Sequence, residues 1–142
     1  AEDGIRDDWL RLVGSEMCIR DRLKDVPEGF KVSYGSTYQA PHPTTVATVP
    51  VGYADGYFRL LSGCGQMLVR GQKATVAGRV CMDQSILDVG HIPDVALGDE
   101  VVVFGEQNSS SVSVDDVART SGTINYEVVT AVNSRVPRVY VS

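Results

Sequence analysis

The chain has 142 residues, 43% hydrophobic and 22% charged, with a formal net charge of -5 at neutral pH. That length suits one ordinary domain with its own core, and the composition excludes a wholly disordered chain. The acidic balance argues against general binding to nucleic-acid phosphates, and no apolar run approaches the roughly 18–20 residues that span a bilayer.

Residues 1–22 differ from the rest. They are crowded with charge, from Glu2 and Asp3 to Asp21 and Arg22, around a short apolar stretch at Trp9, Leu10, Leu12 and Val13 that Gly14 interrupts. The run from residue 13 to 22 resembles a translated adapter sequence, so residues 1–22 read as a non-native leader; an ordinary N-terminal helix is the alternative. Residues 23–142 then form the domain proper. No positively charged, apolar start marks a secretory signal.

Pro27-Glu28-Gly29 is a turn signal. The β-branched run from Thr45 to Val51 predicts a strand. Met67-Leu68-Val69 and Ala74-Thr75-Val76-Ala77 flank Gly71-Gln72, which predicts a hairpin with a type II′ turn. Further strands are predicted at residues 85–89, at 100–104 after a Leu97-Gly98-Asp99 turn, and at 138–141. The Asn108-Ser109-Ser110-Ser111 cluster reads as a solvent loop. Ser113 followed by Asp115 and Asp116 predicts a capped short helix. A second helix is expected over residues 123–133, ahead of Pro137. Many short strands with two short helices predict a mainly β fold, a barrel or sandwich.

Cys18, Cys64 and Cys81 form no C-x-x-C pair, and His42 and His91 lie far apart. No metal site is expected, and three thiols fit a reducing, cytoplasmic setting. Asp55 and Asp99 lie in Ala-Asp-Gly and Gly-Asp-Glu strings, where a short acceptor suits a turn.

Six strings go further than pattern. They are Val32-Ser33-Tyr34-Gly35-Ser36-Thr37-Tyr38, Val51-Gly52-Tyr53-Ala54-Asp55-Gly56, Gly78-Arg79-Val80-Cys81-Met82-Asp83-Gln84, Leu97-Gly98-Asp99-Glu100-Val101, Thr123-Ile124-Asn125-Tyr126-Glu127 and Arg135-Val136-Pro137-Arg138. In this order, the set resembles the C-terminal β domain of bacterial alanine racemases, from about Leu23 to Ser142. The resemblance implies a β-barrel-like domain with two short helices. It also implies a pyridoxal-phosphate enzyme interconverting L- and D-alanine, the latter for peptidoglycan. In that family an N-terminal barrel holds the cofactor through a lysine Schiff base. The β domain completes the site of the second subunit of a homodimer.

The roles the resemblance implies are specific. Tyr34 matches the tyrosine base that works opposite the barrel lysine. A free phenol titrates at about pH 10, so a base acting near neutrality needs its phenolate stabilised by roughly 4 kcal/mol. Tyr126 matches a tyrosine that touches the cofactor phosphate, and Tyr53 matches a gate tyrosine. Met82 matches the residue whose backbone N–H binds the substrate carboxylate, with Asp83 supporting it. Arg59 and Arg79 match arginines of the entry corridor.

None of Lys24, Lys31 and Lys73 lies in a string like that of the cofactor lysine, so the chain alone is expected to be inactive. A racemase of broader specificity, a related decarboxylase and a non-catalytic β association module remain as alternatives. If Tyr34, Tyr53, Tyr126 and Met82 converge on one concave surface, the association module loses ground.

Overall fold

The computed structural model describes residues 19, 22–134 and 136. Ten strands appear among them: β1 (Arg22–Val26), β2 (Lys31–Val32), β3 (Tyr38–Gln39), β4 (Thr44–Val49), β5 (Gln66–Val69), β6 (Gln72–Val76), β7 (Ser85–Asp88), β8 (Val101–Val102), β9 (Gly105–Gln107) and β10 (Ser110–Val112). Six of them form one antiparallel sheet in the order β1-β4-β7-β6-β5-β8, curled into a half barrel. Two hairpins, β2–β3 and β9–β10, stand beside it. Helices α1 (Val114–Ser121) and α2 (Asn125–Thr130) follow the last strand. The architecture is the mainly β fold with two short helices that the sequence predicts.

Apolar residues lie on both faces of the sheet, and each face is covered. Ala47 and Val49 on β4, Leu87 on β7, Ala74 and Val76 on β6 and all of Met67, Leu68 and Val69 on β5 join one large core. The opposite face of β4 and β7 contributes Val46 and Ile86 to a smaller cluster with Val32 and Ala40, which seats the β2–β3 hairpin. Ile19 is buried in the larger core and exchanges backbone hydrogen bonds with the Gly98-Asp99 turn. The rest of the proposed leader, apart from Arg22, lies outside the described residues, as do the 138–141 strand and Pro137.

The elements depart from expectation where turn chemistry decides. The β5–β6 loop is Arg70-Gly71, since Val69 pairs with Gln72. Both loop residues have positive φ, 51° and 77°, so the turn is type I′ and starts one residue before the predicted loop. Gln107 and Ser110 hold it by accepting from the Gly71 N–H and donating to the Gly71 carbonyl. The Asn108–Ser111 cluster is half strand: Ser110 and Ser111 belong to β10. The strand predicted at 100–104 shrinks to Val101–Val102, and the helix predicted over 123–133 to Asn125–Thr130.

Helix α1 forms as its sequence dictates. The Ser113 hydroxyl accepts from the Asp116 N–H at 2.9 Å, and the Asp116 carboxylate accepts from the Ser113 N–H at 3.0 Å. Gly122, with φ 78°, ends the helix. Replacing Ser113 by Ala is expected to cost about 1 kcal/mol and lower the melting temperature by roughly 3 °C, as thermal unfolding would record.

Candidate functional site

Three connecting segments meet at one end of the sheet. The first carries Tyr34 in a 3-10 turn (Tyr34–Ser36) between β2 and β3. The second carries Tyr53 in a 3-10 turn (Tyr53–Asp55) after β4. The third, residues 78–84, joins β6 to β7 and carries Arg79, Met82 and Asp83.

Backbone hydrogen bonds and close contacts lock them together. Tyr53 N–H donates to the Cys81 carbonyl at 3.0 Å, and Ala54 N–H to the Met82 carbonyl at 2.9 Å. Gly52 permits that approach, because a Cβ there would fall on the Cys81 carbonyl oxygen and lie 2.5 Å from that of Met82. The Asp55 carboxylate takes the Gly52 N–H at 2.9 Å and braces the turn, the structural role expected of it. Asp99 does the same for the Ala96 N–H. On the other side, the Ser33 hydroxyl donates to the Arg79 carbonyl at 2.8 Å and accepts the Arg79 N–H at 3.0 Å. The Ser62 hydroxyl accepts the Val80 N–H at 2.9 Å and donates to the Arg59 carbonyl at 2.6 Å.

Around the 78–84 segment opens a cavity of about 560 Å³ lined by Tyr53, Arg59, Arg79, Val80, Cys81 and Met82. Four of the seven residues singled out in the sequence therefore meet here. Arg59 and Arg79 are among the lining residues and no acidic residue is, so the lining carries positive formal charge. Among the described residues nothing accepts the Met82 N–H, which leaves a backbone donor at the wall. Tyr34 belongs to the neighbouring turn, whose Gly35 lies against the Arg79 guanidinium, 3.4 Å from the position a Cβ would take. Asp83 is exposed directly after Met82 and does not line the cavity. Tyr126 is 70% exposed on α2 and does not line it either. Its helix is nonetheless tied to the Tyr53 turn, because Asn133 N–H donates to the Asp55 carbonyl at 3.1 Å.

The far end of the Tyr34 segment is anchored in the sheet. The Tyr38 hydroxyl donates to the Asp88 carboxylate at 2.7 Å, and Thr44 donates to its other oxygen at 2.6 Å. Burial pushes the Asp88 carboxyl up, but hydrogen bonds from Thr44, Tyr38 and Gly90, with His91 nearby, outweigh it and hold the carboxyl below its ordinary value. Burial, the bond to Asp88 and its charge push the Tyr38 phenol up to about 12. The signs follow. The Asp88 contribution is present above the unfolded carboxyl value of about 3.9 and is lost as pH falls through the lower folded value. The Tyr38 contribution is present below about pH 10 and is lost as pH rises towards the folded value. Tyr38→Phe is expected to flatten stability at both extremes, as urea unfolding across pH would measure.

Sequence reasoning assigned no role to Ser33, Ser62 or the Asp88 anchor. Ser33 lies inside a quoted string, but its partner, the Arg79 backbone, is 46 residues away and only folding reveals it. Among the described residues no group of three or more metal-ligating side chains forms, and no helix is long and apolar enough to cross a membrane. The cavity lining fits the anionic part of a phosphate- or carboxylate-bearing group. It contains no lysine: Lys24 lies over the Phe30 ring, 4.6 Å from its centroid, and Lys31 and Lys73 sit on β2 and β6.

Comparison with known proteins matches the same segments. Residues 21–140 match the family model for the alanine racemase C-terminal domain. The alanine racemase of Desulfosudis oleivorans is 58% identical over 119 residues, 84% of this chain and 30% of that protein. That of Halothermothrix orenii is 56% identical over 118 residues, 83% of this chain and 31% of the relative. The solved alanine racemase of Streptomyces coelicolor superposes with a TM-score of 0.82 at 45% identity, covering 89% of this chain and 33% of that one. The Bacillus anthracis alanine racemase with bound L-Ala-P gives 0.81 at 38% identity, covering 89% and 32%. The chain thus spans about a third of the length of the relatives it matches. With the family model matched over residues 21–140 and the fold shared, the chain belongs to the alanine racemase C-terminal domain family.

Proposed function

We propose that residues 23–142 are the β domain of an alanine racemase, supplying one of two bases and the substrate gate to a site completed by an N-terminal barrel and a second subunit. The observation that carries this reading is the cavity where Tyr53, Arg59, Arg79 and Met82 meet, latched to the Tyr34 turn. Racemisation removes the α proton from one face of an amino acid and returns one to the other, so it needs a base on each side. Tyr34 serves one face. In one direction its phenolate oxygen takes the α proton while the base opposite delivers one to the other face. In the reverse direction its hydroxyl delivers the proton that the opposite base's removal calls for. Pyridoxal phosphate, when bound, supplies the sink for the charge left on the α carbon.

The remaining residues bind and select. The Met82 N–H takes the substrate carboxylate, and Asp83 supports that loop. Arg59 and Arg79 draw the anion inward through the corridor. Tyr53 narrows the gate, and Tyr126 reaches the cofactor phosphate from the α2 side. Exposed Tyr53, Met82, Ile124 and Tyr126 fit a surface that a partner covers. With no lysine lining the cavity, the chain alone does not racemise. Free Cys64 and Cys81 fit a cytoplasmic enzyme.

The test is reconstitution. An N-terminal barrel from a related racemase is fused ahead of Leu23, and D-alanine formation from L-alanine is assayed with added pyridoxal phosphate. Activity that depends on Tyr34 supports the reading. A folded, cofactor-loaded chimera that leaves L-alanine unchanged overturns it.

A further inference from the structure

Ser33 is a backbone outlier at a conspicuous place. Its φ of 72° and ψ of 173° fall in a region essentially reserved for glycine. A serine held there must be kept by its surroundings, and the surroundings are explicit. Its hydroxyl closes a reciprocal pair with the backbone of Arg79, donating at 2.8 Å and accepting at 3.0 Å. Gly78 lies so close that a Cβ on it would overlap the Ser33 Cβ and come within 3.0 Å of the Val32 carbonyl oxygen. The next residue along is Tyr34, and Gly35 abuts the Arg79 guanidinium.

We infer that Ser33 is a positioning residue, setting where the Tyr34 turn sits relative to the Arg79–Met82 wall through its clasp on the Arg79 backbone. This inference rests on the reading of Tyr34 as a base. A tyrosine on a short turn between two two-residue strands has little regular structure to fix it. The strained backbone turns the chain into the 3-10 turn, and the hydroxyl ties that bend to the segment carrying the substrate-binding wall. Base and carboxylate donor thereby move as one body.

The test is kinetic and structural. In the reconstituted enzyme, a weakened Tyr34 makes proton transfer at its face limit the rate in both directions. The primary deuterium isotope effect then rises for the α-deuterated enantiomer whose proton Tyr34 removes and shrinks for the other. Ser33→Ala and Ser33→Gly are both expected to give this asymmetry with about a tenfold loss of kcat, since modest misplacement of reacting groups is costly. Glycine relieves the backbone, so Ser33→Gly melts higher than Ser33→Ala while keeping the same kinetic defect. Ser113→Ala, which removes a helix cap instead, lowers the melting temperature and leaves both isotope effects as in the parent.

The full 142-residue chain gives a readout independent of activity. Hydrogen exchange at the Arg79 amide, whose acceptor is the Ser33 hydroxyl, is expected to quicken at least tenfold in both Ser33 variants and not in Ser113→Ala. Unshifted isotope effects in the Ser33 variants, beside shifted ones in Tyr34→Phe, overturn the inference alone. Unshifted effects in Tyr34→Phe as well overturn the reading of the base. An Arg79 amide that exchanges as in the parent chain overturns the clasp whatever the kinetics.

Discussion

Tyr34→Phe is expected to lower racemisation in the reconstituted enzyme by about a thousandfold, within the range that a positioned acid–base group contributes. The substitution removes one oxygen and leaves the ring, so the fold should survive and the cofactor should still load. Because the two enantiomers are equal in energy, kcat/KM must fall by the same factor in both directions. Affinity for a non-reacting carboxylate should change little, since the Met82 N–H and the two arginines are intact. The loss therefore belongs in kcat. Rates in both directions, and inhibition by a carboxylate that carries no α proton, check this. A loss confined to carboxylate affinity would move Tyr34 from base to binding residue.

Much of this was legible in the sequence, and the rest was hidden for identifiable reasons. The cap of α1 and the turns at Asp55 and Asp99 follow from local chemistry, a short acceptor a few residues from its donor, and they appear as expected. The β5–β6 hairpin was legible, but its register was not. Arg70 takes a positive φ that its side chain does not advertise, because the β9–β10 hairpin holds the turn from outside. The two-residue β8 and the shortened α2 reflect tertiary packing overriding local propensity. At the site, the strings carry Tyr53, Arg79 and Met82, and the resemblance added Arg59; all four share a cavity. Nothing local could identify Ser33 and Ser62 as clasps, since each acts on the backbone of a distant segment. Tyr126 and Asp83 fall outside the cavity wall, so the roles proposed for them depend on surfaces that the rest of a racemase would supply.

Gly52→Ala tests whether the meeting of segments is as tight as the geometry requires. Gly52 has φ -150°, which any residue adopts, so the demand on it is space rather than backbone freedom. The nearest atoms are the Cys81 carbonyl oxygen and the carbonyl group of Met82, its oxygen at 2.5 Å and its carbon at 2.6 Å from the Cβ position. These are backbone atoms and cannot rotate aside. Accommodating a methyl group must part the Tyr53 turn from the 81–82 segment and break the bonds from Tyr53 and Ala54 N–H. Overpacking of this kind costs about 3 kcal/mol. For a domain of this size that lowers the melting temperature by roughly 10 °C. The same displacement moves the Tyr53 turn and the Met82 N–H apart, so on the proposed roles the folded fraction should lose about a hundredfold in activity. Unfolding curves give the stability loss, and activity per folded molecule separates the local displacement from global loss. Ser113→Ala, which removes a helix cap and no residue of the cavity wall, should lose stability without that second effect. A Gly52→Ala protein as stable and as active as the parent would mean that the two segments do not approach as closely as their hydrogen bonds demand.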